Sequence, residues 1–223
     1  MKKYLEILKR SPLFHGMDDG DILKILGCLN AKVTSFDKKY TIIAEGTPTR
    51  YIGLMLSGVA QIISIDYYGN RSIIGEIGES ELFAEAFACA EVEHLPLDII
   101  ADSACEVMLI DCSHVLYTCA KHCAHHQQLI FNLMKDIAKK AIMFHQKIDI
   151  TAKRTTRDKL LSYLSYISKK EKSLSFDIPF DRQGLADYLE VDRSGLSVEI
   201  GRMKKEGLIK NKKNHFELIR REL

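Results

Sequence analysis

The stretch that decides the fold is residues 182–209, which read RQGLADYLEVDRSGLSVEIGRMKKEGLI. Its pattern predicts two short helices, Arg182–Leu189 and Arg193–Lys205. Each predicted helix follows an aspartate, Asp181 or Asp192, whose side chain can cap the helix N-terminus. Two short capped helices joined by a tight turn are typical of a helix-turn-helix, whose second helix enters the major groove of DNA.

Three smaller residues and a following hairpin support this interpretation. Ala186 is small where the helices cross closely, and Val191 is expected to be buried in the turn, while Gly207 can end the second helix in a left-handed conformation. Ile209–Lys210 and His215–Ile219 then predict a hairpin, or wing, with a basic tip suited to phosphate contact. The alternative is an ordinary helix pair on a solvated domain. The wing and the basic charge of the region argue against it.

The side chains expected to contact DNA lie on both helices and at the wing tip. Arg193 follows the cap of the second helix, at the end that enters the groove, and arginine can bind guanine with two hydrogen bonds. Arg182 and the wing lysines are expected to contact phosphate. The full predicted set is Arg182, Gln183, Arg193, Ser194, Ser197, Val198, Lys212 and Lys213.

Charge divides the chain of 223 residues into two parts. Residues 150–223 carry 17 Lys and Arg against 11 Asp and Glu, whereas residues 1–149 carry 15 against 19. A basic C-terminal part beside an acidic N-terminal part indicates that only one domain contacts a polyanion. No apolar run approaches the about 20 residues that span a bilayer, and the charged N-terminus is unlike a signal peptide. We therefore expect a cytoplasmic protein with no membrane partner.

The N-terminal part alternates short strand-like runs with turns that contain glycine. The predicted strands are Lys32–Phe36, Thr41–Ala44, Tyr51–Leu56, Val59–Ile65, Arg71–Ile77, Asp98–Ala101 and Val107–Ile110. Strands at this spacing are typical of a barrel or a double-sheet jelly roll. Two short helices are expected before them, at residues 4–10 and 18–29, with Asp18 capping the second. The predicted fold class is therefore α+β, with an N-terminal β jelly roll and a C-terminal winged helix-turn-helix.

A long helix is predicted between His125 and Ile150, where neither proline nor glycine occurs. Six apolar residues recur along it at alternating intervals of four and three, a period of about 3.5 residues that is typical of a coiled-coil seam. The seam residues are Ile130, Met134, Ile137, Ala141, Phe144 and Ile148. The pattern predicts a homodimer. In that dimer the flanking Leu129, Leu133 and Ile142 can face the barrel. The alternative is a helix packed on its own barrel.

The cysteines suggest one further candidate site. Six cysteines in a reducing cytoplasm argue against a disulfide framework. Cys119, Cys123 and His126 share a face of a predicted helix, and Cys112 lies two turns earlier. Sulfur and imidazole ligands suit a metal such as zinc, a haem or a redox switch. The alternative is buried apolar thiols beside surface histidines, since a free cysteine is often simply part of a core.

These features together resemble the Crp/Fnr family of transcription regulators. The resemblance rests on IIAEGTPTRYIGLMLSGVAQIISIDYYGNRSIIGEIGESELFAEAF, on ACEVMLID, on KRTTRDKLLSYL and on the helix-turn-helix. It implies a homodimer on a two-fold-related site in double-stranded DNA, contact with RNA polymerase, and a small-molecule effector that controls the recognition helices. The domains are then a jelly-roll sensor at 1–124, a dimerisation helix and hinge at 125–150, and a winged helix-turn-helix at 151–223.

The chain departs from the family pattern in its DNA-binding helices. Position 190 is Glu where many members place Gly, and Glu199 replaces an apolar residue. Val198 stands where several members have a base-reading Arg. The family's DNA consensus can therefore not be carried over to this sequence.

The sensor region departs more strongly. Cyclic-nucleotide-binding members hold the phosphate with an Arg and a Ser, and the corresponding positions here are Leu95 and Pro96. Neither side chain can compensate a buried phosphate, so we expect an effector other than a cyclic nucleotide. Glu85 either contacts another ligand or is a structural carboxylate. The predicted effector pocket consists of Glu85, Leu95, Pro96, Ile142, Met143 and Gln146.

The predicted function is effector-responsive regulation of transcription, without enzyme activity. One rival is a metal-dependent cupin enzyme, which needs histidines on successive strands. No histidine lies between His15 and His94, which argues against it. A second rival is a constitutive DNA-binding protein whose barrel is only a scaffold. A ligand-induced change in thermal stability would distinguish a sensor from this rival.

Overall fold

The computed structural model describes residues 2–65, 67–68, 71–117 and 124–219. The chain divides into a first unit, Met1–Lys140, and a second unit, Ala141–Leu223. Each unit has its own hydrophobic core. Among the described residues, no helix is both long enough and apolar enough to cross a membrane.

The helices and strands follow the chain in an order that agrees with the predicted fold class. The helices are α1 (Leu5–Arg10), α2 (Asp19–Cys28), α3 (Glu85–Cys89), α4 (Cys112–Leu116), α5 (Ala124–Thr151), α6 (Thr156–Glu171), α7 (Arg182–Leu189) and α8 (Arg193–Lys205). The strands are β1 (Lys32–Phe36), β2 (Thr41–Ile43), β3 (Tyr51–Ser57), β4 (Ala60–Ile65), β5 (Arg71–Ile77), β6 (Leu82–Phe83), β7 (Asp98–Ala101), β8 (Cys105–Asp111), β9 (Ser175–Asp177), β10 (Ile209–Lys212) and β11 (His215–Leu218).

The first unit is a β-roll of two four-stranded antiparallel sheets, ordered β1-β8-β3-β6 and β2-β7-β4-β5. Alternate residues of β3 explain how the layers form, because successive side chains point to opposite faces of a sheet. Ile52 and Leu54 pack in a core shared with α1, α2 and α5, whereas Met55 packs in the core built from both sheets. The jelly-roll prediction is confirmed.

The second unit packs α6, α7 and α8 against a three-stranded sheet ordered β10-β11-β9. Its core includes Leu164, Leu185, Leu196 and Phe216, all fully buried. The wing differs from the predicted hairpin, because the strands pair through Lys212 and leave a two-residue turn. The edge strand β9 ends at Asp177.

Candidate DNA-binding surface and sensor site

The two helix caps of the helix-turn-helix form as predicted. A carboxylate oxygen of Asp181 accepts a hydrogen bond from the Gly184 amide at 2.7 Å, and Asp192 accepts one from the Gly195 amide at 2.7 Å. Gly207 has φ +71°, a left-handed conformation that suits glycine. Val191 was expected to be buried, but it is only half-buried, because it packs at the edge of the core.

The turn between the helices explains why the departure at position 190 matters. Glu190 adopts φ +54° and ψ +55°, the left-handed region that glycine enters most easily. A residue with a Cβ atom pays roughly 1–2 kcal/mol for this conformation. Lys159 of α6 donates hydrogen bonds to the carbonyl oxygens of Leu189 at 3.2 Å and Glu190 at 3.3 Å, which helps to hold the turn.

The outer face of α8 carries four of the predicted DNA contacts. Arg193, Ser194, Ser197 and Val198 are all exposed, and Val198 is 55% exposed despite its apolar side chain. Ser194 donates to the carboxylate of the Asp192 cap, and Ser197 donates to the Arg193 carbonyl at 2.9 Å. Within the described part of the chain, Arg193 has no ion pair or side-chain hydrogen bond. Its guanidinium is therefore available to a ligand.

The departure at Glu199 is explained by an ion-pair cluster on the inner side of α8. Glu199 is only 13% exposed at its side chain and accepts a hydrogen bond from Arg157 Nε of α6 at 2.7 Å. Arg157 Nη2 reaches Glu206 at 2.6 Å, and Arg202 lies 3.6 Å from Glu199. The hydrogen bonds that Arg157 donates to Glu206 and to Glu199 raise its pKa. The cluster fixes the position of α8 against α6.

Asn211 connects the wing to both helices, a role that the sequence analysis missed. Arg182 Nη2 of α7 donates to Asn211 Oδ1 at 3.0 Å, and Lys204 Nζ of α8 donates to the Asn211 carbonyl at 3.2 Å. The Asn211 amide donates to the His215 carbonyl at 2.9 Å. The sequence analysis placed Asn211 in the wing tip. An asparagine beside a hairpin turn was the signal that could have identified it.

The remaining predicted DNA contacts differ in how freely they face solvent. Burial, and then the nearby Arg193 cation, lower the pKa of the half-buried Arg182. Gln183 is exposed, but its amide donates to Asp187 of the same helix at 2.8 Å. Lys212 and Lys213 are exposed at the wing. The structure therefore places Arg182 close to Arg193 at the N-terminus of α8, and the wing adds two exposed lysines to the same unit.

Glu85, the candidate sensor carboxylate, belongs to a buried ion-pair cluster. It is 5% exposed and accepts a hydrogen bond from Lys140 Nζ of α5 at 2.8 Å. Lys140 also donates to the Leu82 carbonyl at 2.9 Å. Asp136 Oδ2 lies 3.3 Å from the same Nζ, an ion pair that lacks hydrogen-bond geometry. Lys140 and Asp136 are site residues that the sequence analysis missed.

The other predicted pocket residues are divided between the two units. Leu95 is buried in the core between the sheets, whereas Pro96 is exposed. Ile142 and Met143 are exposed in the second unit, at 58% and 65%. Gln146 of the same unit is half-buried. The exposed Ile142 is a residue that the sequence analysis expected to face the barrel.

The predicted dimer seam lies on α5. Met134, Phe144 and Ile148 are each at least 60% exposed in the single chain, and Ala141 is also exposed. Ile130 and Ile137 are half-buried. The flanking residues Leu129 and Leu133 are buried in the core of the first unit, as expected.

The predicted cysteine and histidine cluster is only partly described. Cys119 and Cys123 lie outside the described residues. His126 is 1% exposed, and its Nδ1 atom has no hydrogen-bond partner. Among the described residues, no group of three or more His, Cys, Asp or Glu side chains is arranged to hold a metal ion.

Two family models match the chain: a cyclic nucleotide-binding domain at residues 33–122 and a Crp-like helix-turn-helix domain at residues 158–223. The catabolite activator protein of Thermus thermophilus is 18% identical, with 94% of each chain covered and a TM-score of 0.56. The c-di-GMP-responsive global regulator CLP of Xanthomonas campestris is 16% identical over 92% of this chain and 100% of that chain, with a TM-score of 0.58. DNR of Pseudomonas aeruginosa is 17% identical over 99% of this chain and 95% of that chain, with a TM-score of 0.51.

At these identities the solved structures show a shared fold. No curated protein sequence matches the chain. The two domain models follow one another in the order sensor domain, then helix-turn-helix, and each falls within one of the two units. A domain of the cyclic nucleotide-binding type implies a site for a small-molecule effector, and the helix-turn-helix implies DNA binding.

Proposed function

Because the chain belongs to the Crp/Fnr family, with both of its characteristic domains in order, we propose that it is a homodimeric transcription regulator controlled by a small-molecule effector. Residues 1–124 form the sensor, 125–150 the dimerisation helix and hinge, and 151–223 the DNA-binding domain. Effector binding shifts the helix pair and so changes the positions of the two recognition helices. The protein acts in the cytoplasm, and RNA polymerase is the partner that the family implies.

The observation that carries this proposal is the surface at the N-terminus of α8. Arg193 is exposed and unpaired within the described residues. Arg182 lies close enough to Arg193 for the two positive charges to repel each other. The wing lysines Lys212 and Lys213 are also exposed. A helix N-terminus with a free guanidinium, beside a basic wing, suits base reading in a major groove and phosphate contact alongside it.

We expect the protein to select DNA sites of two-fold symmetry and to bind them in a strongly salt-dependent way. Selection from a random duplex library should return an inverted repeat with half-sites about 10 base pairs apart. Raising salt from about 50 to 200 mM should weaken binding by roughly 10³-fold or more, because the release of counterions from DNA favours binding less at higher salt. The Lys212→Ala/Lys213→Ala variant should lower the salt slope by about two. The same change at the exposed Lys169 and Lys170 is the control. Equal affinity at both salt concentrations would contradict the assignment.

We expect Arg193→Ala to weaken binding to the selected site by roughly 1–3 kcal/mol, with a much smaller effect on random DNA, because a base contact is lost. The control is Arg202→Ala, nine residues or about two and a half turns later on the opposite side of the same helix, which should affect selected and random DNA alike. Competition titrations with the two DNA types provide the measurement. A loss of equal size on both would make Arg193 a phosphate contact.

The effector is proposed to bind in the first unit near Glu85, with Leu95 and Pro96 of the same unit as the other contacts. The charge of this region argues against an anionic ligand. Lys140 is the cation beside Glu85, but it is already shared between two carboxylates, so the cluster has a net negative charge. A compact apolar or aromatic molecule is a better match than a phosphate ester.

We expect cyclic AMP and cyclic GMP not to bind. Leu95 is buried among apolar side chains and Pro96 has no donor, so the phosphate would lose its hydration without compensation. Isothermal titration calorimetry with each nucleotide should give no heat of binding at micromolar concentrations. Saturable binding with a dissociation constant of about 1 µM, worth about 8 kcal/mol, would overturn this view of the pocket.

A further inference from the structure

Two cysteines of the first unit lie in direct contact. Cys89 is the last residue of α3, and Cys112 is the first residue of α4. Their sulfur atoms are 3.5 Å apart, Sγ to Sγ, and both thiols are free. A disulfide requires about 2.05 Å, so the sulfur atoms need to approach by about 1.5 Å. A small adjustment of two short helices can supply that approach.

The two thiols differ in their exposure to solvent. Cys89 is half-buried and reachable by a small solute. Cys112 is 4% exposed and lines a cavity of about 390 Å³, together with Arg50, Asp111 and Leu116. Cys105 is equally buried but lies in the core between the sheets, and the described residues give it no thiol partner.

The contact between the two thiols gives them different roles in an oxidation, one as the attacking thiol and the other as the resolving thiol. Either thiol can donate in the contact between the two sulfur atoms. The contact with Cys112 lowers the pKa of Cys89, although burial and Glu85 oppose the charge. The same contact, together with burial, raises the pKa of Cys112. A thiolate is the nucleophile in thiol oxidation, whereas a neighbouring thiol can resolve the product. Because Cys89 is also the more exposed of the two thiols, it is the attacking sulfur and Cys112 is the resolving one.

We propose that Cys89 and Cys112 are a site of reversible oxidation. Hydrogen peroxide is the oxidant, and the two cysteines become linked by a disulfide. The Cys89 thiolate attacks one peroxide oxygen, so that an S–O bond forms, the O–O bond breaks and hydroxide leaves. Cys112 then attacks the Cys89 sulfur, the S–O bond breaks, and the oxygen leaves as water after taking up a proton. Overall, two thiols are oxidised by two electrons and one peroxide is reduced to two waters. A small thiol reverses the reaction by exchange.

The position of the pair links this oxidation to the long helix. The residue that opens α3 is Glu85, which is bound to Lys140 of α5, and the residue that ends α3 is Cys89. A disulfide at one end of this short helix constrains its other end, where the α5 contact is made. Oxidation therefore acts on the helix that carries the proposed dimer seam.

The test is to oxidise the reduced full-length protein with hydrogen peroxide, block free thiols, and map the peptides without reduction. We expect a linked Cys89–Cys112 peptide pair that disappears on treatment with dithiothreitol, while Cys105 stays available for alkylation after unfolding. In Cys112→Ser, Cys89 should stop at sulfenic acid and react with dimedone. Cys105→Ser should leave the linked pair unchanged, and circular dichroism should show that each variant is folded.

The proposal is overturned if Cys89 of the wild-type protein stays a free thiol or accumulates as sulfenic acid. It is also overturned if Cys89 or Cys112 is found mainly linked to another cysteine. Because the measurement is chemical, its result does not depend on whether the protein binds DNA.

Discussion

Phe144→Glu is expected to convert the protein to a monomer and to remove most of its affinity for DNA. Phe144 is 62% exposed in the single chain and lies at the centre of the second half of the proposed seam, between Ala141 and Ile148. In a dimer, the introduced glutamate would be buried against its own copy without a cationic partner. An unpaired buried charge costs about 3–5 kcal/mol, which weakens association by about two to four powers of ten.

The loss of DNA affinity follows from the loss of the second binding domain. A dimer binds the second half-site at a high effective concentration, which strengthens binding by about 10²–10⁴ over that of one domain. A monomeric variant loses this advantage although its recognition helix is unchanged. Titration of a full site and of an isolated half-site would separate the two effects, because only the full site should show the loss.

The matched control for this variant is Lys139→Glu. Lys139 is exposed on the same helix but lies off the six-residue seam, and its replacement changes the charge by more than Phe144→Glu does. Sedimentation velocity should show Lys139→Glu as a dimer and Phe144→Glu as a monomer. If Phe144→Glu still sediments as a dimer, the helices associate through another face and the seam assignment is wrong.

Local sequence patterns predicted the helix-turn-helix well because its determinants are close together in the chain. Asp181 and Asp192 each cap a helix through an amide three residues later, so the sequence contains both partners within one turn. Leu185 and Leu196 lie on apolar faces whose period can be read directly. The strands of the first unit were predicted for the same reason, since their alternation and turns are local signals.

The interactions missed by the sequence analysis join residues that are far apart in the chain. Lys140 meets Glu85 across 55 positions, and Arg157 meets Glu199 across 42. Cys89 meets Cys112 across 23 positions. A single sequence shows the type of each residue but not its distant partner. From the sequence alone, Lys140 is therefore interpreted as part of the solvent-exposed face of a long helix. Only the packing of α5 on the first unit shows that Lys140 neutralises a buried acid.

The ion pair between Lys140 and Glu85 leads to the second large effect, a loss of stability in Lys140→Met. Glu85 and Asp136 have side chains only 6% and 9% exposed, and Lys140 is the cation that both of them contact. Methionine keeps much of the side-chain length but leaves two buried carboxylates without a counter-charge. Breaking one partner of a buried pair costs about 3–5 kcal/mol, and we expect about 3 because Lys140 is partly open to water.

The neighbouring lysine offers the matched control for this substitution. Lys139→Met removes the same charge one residue earlier from an exposed position and should change the free energy of unfolding by less than about 0.5 kcal/mol. Urea unfolding of the full-length protein should therefore separate the two methionine variants clearly. Adding Glu85→Gln to Lys140→Met should restore part of the lost stability, because a neutral amide is less costly to bury unpaired than a carboxylate. If Lys140→Met is as stable as Lys139→Met, hydration by water stabilises Glu85 without the ion pair. The carboxylate would then contribute little to stability and would be available to contact the effector.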